Sequence, residues 1–275
     1  MARSPLLFVP DGVFGGIDLP YRGTVQPSLF PKRVSTKYPL VPQGADIAFV
    51  CEVAEGGTYY CKTDSRGRQV RMIDWVCTRL GSHVGIATAE CAVVEDGEGE
   101  TYFGSCQHKS TALHFTVDNF LRTPRRGELG QPSEWPGRYL SQLYVLDLFL
   151  HNSDRDIPNF VLHSEGRNLR LCAIDFAASD LTALSARHFP IAHGRTFLVG
   201  KLLRHTHGFF EDSALEMIDR IAAVPTSLVA GLLAEIPPDW ASHTQKEGIC
   251  EAWQSSQMQQ RLAGLRAGIK DGSLL

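Results

Sequence analysis

The stretch from His151 to Phe176, HNSDRDIPNFVLHSEGRNLRLCAIDF, decides how this chain folds. Asp154 and Asn159 stand five positions apart in a polar turn, and Asp175 closes an apolar run. Each alone reads as a helix cap or an Asx turn. Together they supply one proton acceptor, Asp154, and two ligands for Mg²⁺, Asn159 and Asp175. Phosphoryl transfer asks a protein for little beyond positioning and charge neutralisation, so the triplet is the minimum apparatus for using ATP.

The flanks build a unit around the triplet. Gly137 to His151 (GRYLSQLYVLDLFLH) is apolar on nearly every side, the pattern of a helix buried within a domain. Pro158 lacks an amide hydrogen and disfavours helical geometry at Ile157, so the helix ends in the polar turn. Phe160 to Leu162 predicts a short strand, Ser164 to Asn168 a hairpin turn, and Leu169 to Ile174 the returning strand. Asp175 is thereby expected at a strand end, facing the turn that holds Asp154.

Asn152-Ser153-Asp154-Arg155-Asp156-Ile157-Pro158-Asn159 resembles the N-x-D-x-x-x-x-N catalytic loop of the HipA-like kinase family, within the protein-kinase-like superfamily. It is also similar to the D-R-H-x-x-N loop of the phosphatidylinositol kinases. Asp156 stands where His is often found, and Asp175-Phe176-Ala177 stands where protein kinases carry D-F-G. The resemblance is to a compact form without the additional N-terminal subdomain of HipA toxins. It implies an α+β, protein-kinase-like bilobal fold: a small antiparallel-sheet N-lobe with one helix, and a mainly helical C-lobe. The divisions expected are a Pro/Gly-rich arm over residues 1–44, an N-lobe over 45–106 and a C-lobe over 107–275.

A kinase also needs a strand lysine and a helix acid, and candidates lie upstream in the right order. Phe49 to Glu55 and Thr58 to Thr63 predict two strands joined at Gly56-Gly57, with Lys62 near the end of the second. Lys62 is the expected phosphate-binding lysine. Arg71 to Leu80 shows a helical apolar stripe through Ile73, Val76, Cys77 and Leu80 that leaves Asp74 on another face, available to pair with Lys62. The family usually has Glu there, so the shorter Asp calls for a closer helix or a bridging water. Gly56 and Gly57 lack the G-x-G-x-x-G spacing and read first as a hairpin turn that could approach phosphates. Cys91 to Glu95 and Thr101 to Cys106 predict two further strands, with Tyr102 to Cys106 running into the hinge that reads adenine.

Downstream, Arg195 to Thr206, Asp212 to Ala222, Thr226 to Ala234 and Thr244 to Ile269 read as helices, with Asp212 and Thr226 as N-caps. The Ile236-Pro237-Pro238-Asp239-Trp240 pattern before the last helix also resembles HipA-like kinase domains. Composition is that of a globular protein, 43% apolar and 21% charged, and a net charge of −3 gives no electrostatic footprint for nucleic acid. No apolar run predicts a membrane span, and Met1 to Phe8 is too short and polar for a signal peptide, so a cytoplasmic location is expected. Seven Cys without C-x-x-C spacing point to reduced thiols and away from structural zinc.

The activity these readings imply is ATP- and Mg²⁺-dependent phosphotransfer to a hydroxyl, by resemblance a protein Ser/Thr, with a small-molecule hydroxyl as the other acceptor class. A nucleotide-binding pseudokinase acting as an interaction module is the alternative from another class. A metal-dependent hydrolase using Asp154, Asp156, Asp175 and a His is a third, although His151 and His163 lack ligand spacing.

Overall fold

The computed structural model describes residues 30–38, 46–65, 67–108, 110–126, 130–165, 168–181 and 194–275. Its small lobe is a five-stranded barrel of β1 (Lys32–Tyr38), β2 (Ile47–Val53), β3 (Thr58–Lys62), β4 (Cys91–Glu95) and β5 (Thr101–Gln107), in the order β1-β2-β3-β5-β4. Four neighbouring pairs are antiparallel. The fifth, β1 with β4, is parallel over Lys32↔Val94 and Arg33↔Glu95 and closes the barrel. The lobe is therefore not the purely antiparallel sheet expected. Strand β1, KRVSTKY, lies within the stretch read as an arm and is mostly exposed, so it carries no apolar alternation by which to recognise it.

Alternation on β2, β3 and β4 does build an interior. Phe49, Cys51, Val53, Tyr59, Cys61, Ala92 and Val94 form a separate small core inside the barrel. Helix α1 (Val70–His83) crosses from β3 to β4, yet its buried Met72, Ile73, Trp75, Val76, Cys77 and Leu80 join the core of the large lobe. Nearly all of its faces are covered, Asp74 included, where the stripe had left Asp74 aside.

Strand β5 is paired to both β3 and β4 over Phe103–Ser105, with Tyr102 in register with β4 and Cys106 with β3. The backbone of Phe103–Ser105 is thus taken up within the sheet. The chain leaves the sheet after Gln107 and turns at His108, whose carbonyl accepts from Thr111 Oγ1 at 2.7 Å; Ala112 N–H then joins the large lobe at Leu162 O, 2.8 Å. The inter-lobe link thus lies downstream of the expected hinge.

The large lobe holds α2 (His114–Arg122), α3 (Trp135–Phe149), the hairpin β6 (Phe160–Glu165) and β7 (Asn168–Ala173), then α4 (Arg195–His207), α5 (Glu211–Ala222), α6 (Thr226–Ala234), α7 (His243–Gln254) and α8 (Ser256–Lys270). Helix α2 was not foreseen: Leu113 and Phe115 are exposed and only Val117, Phe120 and Leu121 are buried, a short stripe. The single helix expected over Thr244 to Ile269 is two, divided at Ser255, whose hydroxyl accepts from Met258 N–H and caps α8. Asp212 and Thr226 lie inside their helices; the caps are Phe210 and Pro225. The turn of the β6–β7 hairpin, most of residues 1–45 and Arg66 lie outside the described residues.

Candidate active site

Helix α3 ends in a Schellman motif: Asn152 N–H donates to Asp147 O at 2.8 Å, and His151 N–H to Leu148 O at 3.2 Å. His151 occupies the left-handed position, φ 58°, where Gly is usual. The reversal throws the following residues back across α3 as the catalytic turn. Asp156 caps the 3₁₀ turn over Ile157–Asn159, its Oδ1 accepting from Ile157 N–H at 2.7 Å, so the residue that departs from the family pattern is a structural cap here.

Beneath the turn sits a buried ion pair that the sequence reading missed. Arg155 and Asp147 side chains are 3% and 1% exposed and meet through two parallel bonds of 2.8 Å, Nε to Oδ2 and Nη2 to Oδ1. Arg155 Nη1 donates to Asn159 O at 3.2 Å and to Ile174 O, and its guanidinium lies 4.5 Å from the Phe176 ring centroid. One side chain therefore ties α3, the catalytic turn and the segment leading to Asp175. The available signal was Asp147, a lone carboxylate in an otherwise apolar helix, which must find a counter-charge. Thr196 braces the other side, Oγ1 donating to Asn152 O at 2.6 Å and accepting from Arg155 N–H at 2.9 Å.

Strand β3 brings Lys62 against two carboxylates. Its Nζ is 2.7 Å from Asp74 Oδ2 and 2.8 Å from Asp175 Oδ1. The pairing with Asp74 is direct, so the short side chain is met by a close helix and not by a bridging water. Asp74 Oδ1 also accepts from Phe176 N–H at 2.9 Å, so one carboxylate spans the lysine and the metal-motif backbone. Further along α1, a Cβ on Gly81 would stand 3.3 Å from the Leu146 side chain, so the helix packs closely on α3 there.

Burial alone would lower the Lys62 ammonium, but Asp74 and Asp175 together hold it above the ordinary lysine value. Burial lifts the Asp74 carboxyl, with Lys62 and the Phe176 amide pulling the other way. Burial also works upward on Asp175, where Lys62 and Arg155 prevail and keep it below the usual carboxylate range. Asp175 adopts φ 60°, a left-handed conformation that Asp tolerates better than most residues. Ala177 is not in that region, so loss of the Gly of D-F-G imposes no backbone strain.

Asp154 is open: its side chain is 60% exposed, 3.7 Å from Arg195 Nε, while Arg195 Nη1 pairs with Asp156 at 2.6 Å. Asn159 Nδ2 donates to Asp154 O at 2.9 Å, which leaves Oδ1 as the atom it can offer. Ile174 N–H to Asn159 O, 3.0 Å, joins the Asn159 and Asp175 segments. Among the described residues no group of three or more His, Cys, Asp or Glu gathers as a metal cage. A carboxylate with 40% exposure, Asp175, and an amide oxygen, Asn159 Oδ1, fit Mg²⁺, which takes few protein ligands and completes its shell with water and phosphate. Gly56 and Gly57 adopt φ 87° and 107° and shape the β2–β3 turn; a Cβ on Gly56 would meet nothing within 4 Å.

A barrel lobe with one helix on a helical lobe, joined at a Lys–Asp–Asp cluster, is a protein-kinase-like arrangement. The HipA-like kinase profile matches residues 38–267, and the chain belongs to that family. Among solved structures it is similar to the Helicobacter pylori proinflammatory kinase CtkA, with 9% identity and a TM-score of 0.52 over 86% of this chain and 96% of that one. It is also similar to Shewanella oneidensis HipA, solved with HipB and operator DNA, at 11% identity and a TM-score of 0.49 over 88% and 67%. No curated protein matches it.

Proposed function

We propose that the protein transfers the γ-phosphoryl group of ATP, with Mg²⁺, to a hydroxyl, a protein Ser or Thr being the acceptor the family resemblance favours. The observation that carries the proposal is Lys62 Nζ held between Asp74 at 2.7 Å and Asp175 at 2.8 Å. That cluster fixes an ammonium for the α- and β-phosphates beside a carboxylate suited to a metal. Asn159 and Asp175 would hold Mg²⁺, which supplies charge neutralisation at the phosphate oxygens. Asp154, exposed at the mouth of the turn, orients the attacking hydroxyl and accepts its proton. Arg155 and Thr196 keep the turn in place from behind.

No single helix among the described residues is long and apolar enough to cross a membrane. A cytoplasmic location is part of the same proposal, and a net charge of −3 gives no electrostatic footprint for a nucleic-acid partner. The test is Mg²⁺-dependent ATP turnover, or autophosphorylation, in the wild type and in Asp154→Asn. The proposal expects kcat to fall about 10²–10⁴-fold with ATP affinity retained. Tight ATP binding with no turnover by the wild type on any hydroxyl acceptor would instead make the protein a nucleotide-binding module.

A further inference from the structure

One side of α1 is held at residues 71, 75 and 79 by one loop of the large lobe. Arg71, Trp75 and Arg79 recur at i, i+4 and i+8, so they form a single stripe along the helix. Arg71 Nη1 pairs with Asp239 Oδ2 at 2.7 Å and donates to Thr101 O at 2.9 Å, and Nη2 reaches Asp239 O at 3.3 Å. The guanidinium lies 5.5 Å from the Trp240 ring centroid. Trp240 is 1% exposed, packs edge-on against Trp75 at 6.2 Å and 79°, and donates Nε1–H to Thr101 Oγ1 at 2.9 Å. Arg79 pairs with Glu235 at 3.4 Å. The Ile236-Pro237-Pro238-Asp239-Trp240 segment thus has a definite counterpart, for which the active site as described gives no use.

We infer that residues 235–242 are a latch that fixes α1 to the large lobe, and that Arg71, Asp239 and Trp240 are positioning residues for the Lys62–Asp74 pair. The reason lies in side-chain length. Asp is one methylene shorter than Glu, so a direct 2.7 Å contact with Lys62 needs α1 closer by about one carbon–carbon bond, ~1.5 Å. The helix is fully incorporated in the large-lobe core, whereas Lys62 belongs to a barrel with a core of its own. Arg71 is the joint between them: it meets Asp64, two residues beyond Lys62, at 2.9 Å and Thr101 O on the barrel side, and Asp239 of the large lobe on the other. The latch and the short acid are matched, each making sense of the other.

The inference rests on the reading of Lys62 as the phosphate-binding lysine, but its test has an arm that does not. Arg71→Leu severs the Asp64, Thr101 and Asp239 contacts, and Trp240→Phe keeps ring packing while removing the donor. In the full chain without nucleotide, both should raise hydrogen exchange of the α1 amides (70–83) about tenfold, with the rest of the protein unchanged. With Mg²⁺ and ATP as the probe, the ATP KM should rise about tenfold or more, since misplacement by about 1 Å can cost roughly 100-fold. Adding Asp74→Glu should then recover ATP affinity in the Arg71→Leu protein, because a longer acid reaches from a withdrawn helix, while the same change in the latched wild type weakens it. Exchange that is unchanged, or raised evenly over the chain, would overturn the latch. So would an Asp74→Glu effect of the same sign in both backgrounds. If wild-type protein binds no ATP, the phosphate-binding reading of Lys62 falls, and the exchange measurement still decides the latch.

Discussion

Removing the carboxylate of Asp147 isolates a charge that has nowhere to go. Arg155 is 3% exposed, and Asp147 meets it with two bonds of 2.8 Å while also accepting from Asn152 Nδ2 at 2.8 Å. Breaking one side of such a pair costs about 3–5 kcal/mol, because the surviving ion stays buried without its partner. Losing the acceptor for Asn152 adds about 1 kcal/mol. At roughly 2–4 °C per kcal/mol for a domain of this size, Asp147→Ala should lower Tm by about 8–24 °C in a calorimetric scan. The double variant Asp147→Leu/Arg155→Met removes both charges and keeps much of the volume, so it should regain most of the stability. It should not regain ATP turnover, since the bonds from Arg155 to Asn159 O and Ile174 O are gone and the catalytic turn is no longer tied to Asp175. A Tm for Asp147→Ala within about 2 °C of wild type would refute the claim that this pair holds the turn. Recovery of turnover in the double variant would refute the role given to the carbonyl contacts.

Three further outcomes are expected. Lys62→Met should reduce ATP turnover by about 10²–10³-fold, measured at saturating Mg²⁺, and a smaller loss would count against the Lys–Asp–Asp cluster as the phosphate grip. Burial holds His207 below the ordinary histidine value of 6.5, against the pull of its bond to Leu121 O. The unfolded chain therefore takes up the proton first: stability is complete above pH 6.5 and declines as pH falls through the lower folded value. His207→Gln should flatten the slope of Tm between pH 7 and 5, and an unaltered slope would exclude His207 as its source. Gly137→Ala would place a Cβ 2.3 Å from His207 O and should cost about 1–3 kcal/mol in urea unfolding, whereas Gly231→Ala, with open space, should stabilise by about 0.4–1 kcal/mol.

Periodicity made several of the site's supports legible. The apolar run into His151 is α3, the Gly56-Gly57 turn joins β2 to β3, and the Ile73–Leu80 stripe is α1. Elements without a clean pattern were not legible. Strand β1 is mostly polar and exposed, and α2 buries only three residues. Arg155 sat unnoticed between Asp154 and Asp156 because an Arg in a polar turn looks solvated. Only the fold shows that it points inward, to Asp147.

By itself the sequence determined the local chemistry: an acid and an amide at fixed spacing in one turn, an acid at a strand end, a lysine after a glycine turn. These follow from backbone rules that act over a few residues. Tertiary structure decided that Lys62 and Asp175, 113 positions apart, share one hydrogen bond, that Asp74 reaches both the lysine and the Phe176 amide, and that Asp239 and Trp240 hold the helix that makes this possible. Such contacts depend on how two cores pack against each other, and no periodicity along the chain encodes that distance.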